Sequence, residues 1–124
     1  MQPDLIYDVG MNDGKYTAYY LWKGYRVVAV EADPALVDRA RERFKNEIAA
    51  GRLTLLNIAV GAVDSTATFW VCERNSEWNS FDKTVATSQG CSAHGIEVPV
   101  REFGGVLREH GMPFYLKVDI EGFD

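Results

Sequence analysis

At 124 residues the chain fits one domain, and a composition 47% apolar and 25% charged is that of a globular core rather than a disordered segment. Its net charge of −5 argues against a large phosphate-binding surface, so nucleic acid is not an expected partner. No apolar run approaches the roughly 20 residues of a membrane span and no signal-peptide apolar stretch stands at the start, which leaves no membrane partner and a cytoplasmic protein as the default.

Leu5 to Val9 reads as an apolar strand closed by Asp8-Val-Gly-Met-Asn-Asp-Gly14, after which a helix runs from near Lys15 to about Trp22. Arg26 to Val30 is a second, β-branched strand, and strand, helix, strand implies a parallel pair. The loop after the first strand then lies at the carboxyl edge of the sheet, where open α/β sheets bind ligands. Gly10 and Gly14 permit positive φ and close approach there, and Glu31, ending the second strand at the same edge, offers a carboxylate to both hydroxyls of a ribose. Together they form a nucleoside-cofactor grip.

Asp33 caps the next helix, with Pro34 at its first position and Leu36, Val37, Ala40, Phe44 and Ile48 on one stripe up to Gly51. Arg39, Arg41, Arg43 and Lys45 alternate with Asp38, Glu42 and Glu47 on that helix and read as a solvated face. Leu53 to Val60 is expected to be a third strand stopped by Gly61. Two right-handed crossovers place these strands in the order three, two, one, so a fourth parallel strand should join on the free side of strand one.

An inserted antiparallel pair, Thr66 to Cys72 and the shorter Glu97 to Val100, precedes that fourth strand. Between them Glu73 to Gly95 is polar and turn-rich, a long loop in which Trp78, Asn79, Ser80 and Phe81 form an expected cover over substrate, weighed equally against a merely solvated loop. Cys72 and Cys91 lack C-x-x-C spacing and read as structural thiols, while His94 and His110 are too isolated for a metal cluster. A helix over Glu102 to His110, with Phe103, Val106 and Leu107 inward, leads to a fourth strand from Phe114 to Ile120. The chain stops soon afterwards, and an apolar strand left at a sheet edge leads to the expectation that the natural protein continues past Asp124.

Asp8-Val-Gly-Met-Asn-Asp-Gly14, Glu31, Asn57-Ile-Ala-Val-Gly61 and Lys117-Val-Asp-Ile-Glu-Gly122 together resemble the FkbM family of S-adenosylmethionine-dependent methyltransferases. The likeness spans nearly the whole chain. The glycine loop alone is shared by many class I methyltransferases, whereas its combination with the Lys-Asp-Glu-Gly element is far more specific. The resemblance implies a Rossmann-like α/β methyltransferase sheet, here its N-terminal half, and O-methylation of a small-molecule or sugar hydroxyl. It also implies site roles. Asp8, Gly10, Asn12 and Gly14 would wall the methionine half of the cofactor, Glu31 would bind its ribose, and Ala59, ending the third strand, would leave room for adenine. Asp119 would either hold the cofactor's amino group or contact substrate.

An alcohol must lose its proton as it attacks a sulfonium methyl, so the reaction asks for alignment and a base. Asp119 is the first candidate and Glu121 the second, with Lys117 orienting them or pairing with a carboxylate on the same strand face. A divalent cation is conceivable at this edge but unsupported, because two acids are a thin ligand set for a hard cation. Tyr16, Tyr19, Tyr20 and Trp22 read as helix packing and surface. Two other classes compete. A dinucleotide-dependent oxidoreductase would need G-x-G-x-x-G, whereas this loop is G-x-x-x-G with Asp13 placed to repel a pyrophosphate; a non-catalytic binding module would keep the grip without turnover.

Overall fold

The computed structural model of the chain describes residues 1–72 and 93–120. Glu121 and the loop residues Trp78, Asn79, Ser80 and Phe81 lie outside them.

The first strand, β1 (Gln2–Val9), is buried continuously from Leu5 onward, as befits a central parallel strand covered on both faces. Leu5, Tyr7 and Val9 pack with Val28, Val30 and Val106 on one side, which leaves Ile6 and Asp8 on the other by strand alternation. Helix α1 (Lys15–Trp22) crosses to β2 (Arg26–Val30), as the sequence predicts. Asp33 caps α2 (Pro34–Arg43) by accepting from the amide of Ala35 at 3.0 Å, and Leu36, Val37 and Ala40 are its buried stripe.

The single helix expected up to Gly51 is broken at Phe44. There φ −108° and ψ 25° separate α2 from the short α3 (Lys45–Ala49), although amide bonds from Phe44 to Ala40 and from Ile48 to Phe44 run through the break. The buried Phe44 ring sits in a cluster with Met11, Leu21 and Val27, and its docking sets the bend. The basic run is a solvated face as expected: Arg39, Arg41, Arg43 and Lys45 are exposed, with surface pairs Arg41–Asp38 and Lys45–Glu42.

The third strand also departs from expectation. Instead of running from Leu53 to Val60, it splits into β3 (Leu53–Leu56) and β4 (Ala59–Gly61), which belong to different sheets. Asn57 explains the exit: its side-chain amide donates to the carbonyls of Glu31 and Ala32, both at 3.0 Å, taking over from the backbone ladder where β3 leaves β2.

The inserted pair is present as β5 (Ser65–Cys72) and β6 (Ala93–Glu102), antiparallel in full register. β6 is longer than expected, beginning in what reads as loop, and it also pairs in parallel with β4 to make a three-stranded sheet in the order β4-β6-β5. Cys72, buried at the end of β5, is disulfide-bonded rather than a free thiol.

Helix α4 (Phe103–His110) is capped by the Glu102 carboxylate, which accepts from the Gly105 amide at 2.9 Å, and it buries Val106 against the main sheet. The final strand, β7 (Pro113–Val118), ends two residues earlier than expected and pairs in parallel with β1. The main sheet therefore reads β3-β2-β1-β7, all parallel, the order that right-handed crossovers require. Phe114, Tyr115, Leu116 and Val118 of β7 are exposed. Among the described residues, no helix is long and apolar enough to cross a membrane.

Candidate functional site

The ends of β1, β2 and β7 meet at the carboxyl edge of the sheet around a cleft of about 280 Å³. Gly10, Met11 and Asn12 follow β1 on its floor, held because the amides of Gly10 and Met11 both donate to the Val30 carbonyl, at 2.8 and 3.1 Å. Gly10 has φ +83° and presses against the end of β7, where Asp119 donates its amide to the Val9 carbonyl at 2.9 Å. A Cβ on Gly10 would lie 2.1 Å from the Asp119 carbonyl oxygen, so only glycine admits this closure.

Glu31 lines the cleft at the end of β2 and is only 7% exposed. One carboxylate oxygen accepts from the Asn12 amide at 2.8 Å and the other from the Asp33 amide at 3.0 Å. These bonds fix Asn12 at φ +54°, a conformation rare outside glycine, and so lock the loop to β2 before any ligand arrives. Each oxygen retains a lone pair for a ligand hydroxyl. Burial pushes the Glu31 carboxyl above the usual range, opposed by the amides of Asp33 and Asn12 and reinforced by the Asp33 charge.

Lys117 and Asp119 line the β7 side, and the ammonium lies 3.5 Å from an Asp119 carboxylate oxygen, the same-face pairing expected from strand alternation. The Asp119 side chain is 60% exposed, so it is open to whatever enters the cleft. Tyr16, assigned to packing from the sequence, stands at the cleft wall with the Lys117 ammonium 4.5 Å from its ring centroid.

The remaining expected residues divide. Ala59 lines the cleft, as the adenine assignment requires, though from β4 rather than from the main sheet. Asp8 and Gly14 lie behind the cleft wall. Gly14, at φ +84°, stands before α1, and a Cβ there would come within 3.2 Å of the Phe44 ring. Asp8 is fully buried; one oxygen accepts from the Thr17 hydroxyl at 2.7 Å and the other has no hydrogen-bond partner among the described residues. Phe69 of β5 lines the cleft and escaped the sequence reading. The signal that could have found it is strand alternation, which puts Ala67, Phe69 and Val71 on one apolar face of β5, although alternation alone does not show what that face covers. Among the described residues, no three His, Cys, Asp or Glu side chains converge as a metal set.

Burial pushes the Asp8 carboxyl up, partly offset by the Thr17 hydroxyl and the Lys117 charge and reinforced by the Asp119 charge. An acid with a raised folded-state pKa binds its proton more tightly folded than unfolded, so stability falls as pH rises from about 4 through that raised value. Asp8→Asn, which keeps an acceptor for Thr17, is therefore expected to flatten this decline. Chemical denaturation of both proteins between pH 4 and 8 checks it, and parallel pH profiles would refute the burial effect.

The cleft is mixed in character. Ala32, Ile58, Ala59, Val60 and Phe69 give it apolar lining, Asn12, Asp13, Lys15, Lys117 and Asp119 give it polar groups and charges of both signs, and Glu31 adds a buried carboxylate. Such a lining offers apolar cover for a purine, a carboxylate for a ribose and charges of both signs for a zwitterionic amino acid. A pyrophosphate matches poorly, because Asp13 already accepts from the Lys15 amide at 3.1 Å at the start of α1, occupying a helix N-terminus with negative charge.

The model of the Methyltransferase FkbM domain matches residues 8–124. A curated relative, the probable ribosomal RNA small subunit methyltransferase A of Methanospirillum hungatei JF-1, is 42% identical over 52 residues. Those residues are 42% of this chain and 20% of that protein, so the match spans about a fifth of the relative. No solved structure gives a significant match.

Proposed function

This chain belongs to the FkbM methyltransferase domain family, and on that premise we propose that it binds S-adenosylmethionine and serves methyl transfer to a hydroxyl oxygen of a small molecule or sugar. The observation that carries this reading is the buried Glu31 carboxylate, held by two loop amides in a cleft lined by both apolar and charged side chains. When bound, the cofactor supplies an electrophilic methyl on a sulfonium whose departure leaves neutral S-adenosylhomocysteine. The chain's residues do the rest. Glu31 accepts from the ribose hydroxyls. Lys117 and the loop amides would hold the carboxylate of the methionine half. Asp119, exposed at the cleft, would take the acceptor hydroxyl's proton, and Lys117 would keep that carboxylate in place. Glu121, the second candidate base, lies outside the described residues.

The ribosomal RNA named for the relative is a competing acceptor class. A chain of net charge −5 has little with which to hold a phosphate backbone, and this favours a small acceptor. Two measurements test the proposal. Incubation with labelled cofactor and a panel of sugar and small-molecule alcohols should release S-adenosylhomocysteine; transfer to RNA alone would overturn the acceptor assignment. Glu31→Gln should weaken S-adenosylhomocysteine roughly 10- to 100-fold, since an amide replaces one charged acceptor and disturbs a loop bond. Unchanged affinity would remove Glu31 from the ribose.

A further inference from the structure

The inserted sheet has a face that the mechanism above does not use. Ala67, Phe69 and Val71 alternate along β5, and Phe69, only 5% exposed, gathers with Ala32, Ala59, Val98 and Val100. Two members of that cluster, Ala32 after β2 and Ala59 on β4, are themselves cleft residues, and Phe69 borders the same cleft beside them. The small alanines leave space in the apolar lining, and among the described residues the aromatic side chain clustered with them arrives from the inserted strand rather than from the main sheet. Asn57 arranges this. By tying its amide to the Glu31 and Ala32 carbonyls it turns the chain out of the main sheet, so that β4 can pair with β6 and carry β5 to the cleft.

We infer that Phe69 is a specificity-determining residue, the aromatic wall against which the base of the nucleoside packs, and that the inserted β4-β6-β5 sheet serves to deliver it. This rests on the cofactor reading of the cleft. A purine offers a flat, polarisable face that an aromatic ring holds better than an aliphatic side chain does, and the bicyclic ring covers more of that wall than a pyrimidine. Phe69 therefore favours a purine nucleoside by contact area, while Glu31 secures the ribose whatever base it carries.

The test is a binding comparison with the whole chain, using S-adenosylhomocysteine and its analogue in which uracil replaces adenine. Wild type is expected to prefer the adenine compound. Phe69→Ala should weaken that compound about tenfold, a typical loss for one base–aromatic contact, and change the uracil analogue by a smaller factor. Phe69→Leu fills the cluster without an aromatic face and should lose affinity in the same pattern; it decides the matter if Phe69→Ala does not fold. A ring that only props Ala59 would lower the unfolding temperature of the free protein and weaken both ligands equally, and that outcome overturns the inference, as does unchanged affinity in both variants. Failure of wild type to bind S-adenosylhomocysteine at all would be a different result, removing the cofactor reading and this inference with it.

Discussion

Gly10→Ala is expected to destabilise the chain by about 2–4 kcal/mol and to abolish tight ligand binding. The added Cβ would fall 2.1 Å from the Asp119 carbonyl oxygen and 2.8 Å from its carbonyl carbon, both backbone atoms that cannot swing aside. The backbone also stands at φ +83°, where a Cβ is strained even in open space. Relief requires β7 to withdraw from β1, which breaks the bond from the Asp119 amide to the Val9 carbonyl and moves Asp119 away from the cleft. Gly24→Ala is the matched control. It shares positive φ, +98°, but a Cβ there meets nothing within 4 Å, so it reports the conformational cost alone, about 1 kcal/mol. Urea denaturation of the two variants separates strain from collision, and equal losses would mean that Gly10 marks a turn and nothing more.

The second large effect falls on turnover. Asp119→Asn preserves size and polarity but removes the proton acceptor, and a positioned base is worth about 100- to 10,000-fold in rate. We expect turnover at saturating cofactor to fall within that range while affinity for S-adenosylhomocysteine changes less than tenfold. The opposite split, intact turnover with a large loss of affinity, would assign Asp119 to the cofactor's ammonium. Lys117→Met complements this test. The ammonium 3.5 Å from the Asp119 carboxylate holds that group toward the cleft, so its removal should cost less than removal of Asp119 itself.

Much of this arrangement was legible in the sequence because local patterning and topology agree. The β-branched runs, the Asp33-Pro34 helix start and the glycine loop each carry their own physical signal, and the crossover rule then sets the order β3-β2-β1-β7. Glu31, Lys117 and Asp119 follow from that order, since they end strands that must lie side by side. What escaped depends on tertiary contacts. Leu53 to Val60 reads as one strand, and only the reach of the Asn57 amide to the Glu31 and Ala32 carbonyls after β2 reveals the exit at that point. The bend at Phe44 likewise comes from where its ring docks. Asp8 and Gly14 belong to the loop motif yet sit behind the cleft, because a residue facing into the sheet and one backing onto Phe44 share a motif without sharing a surface. Phe69 is the reverse case, a cleft residue with no motif, brought in by pairing across a second sheet.

The central claim is that this cleft grips a nucleoside joined to an amino acid rather than to a pyrophosphate. Calorimetric titration of the chain with S-adenosylhomocysteine and, separately, with NAD addresses it directly. The buried Glu31 carboxylate in a cleft with both apolar and charged lining, and Asp13 seated on the first amide of α1, predict saturable binding of S-adenosylhomocysteine and none of NAD. Saturable binding of NAD without binding of S-adenosylhomocysteine would contradict it.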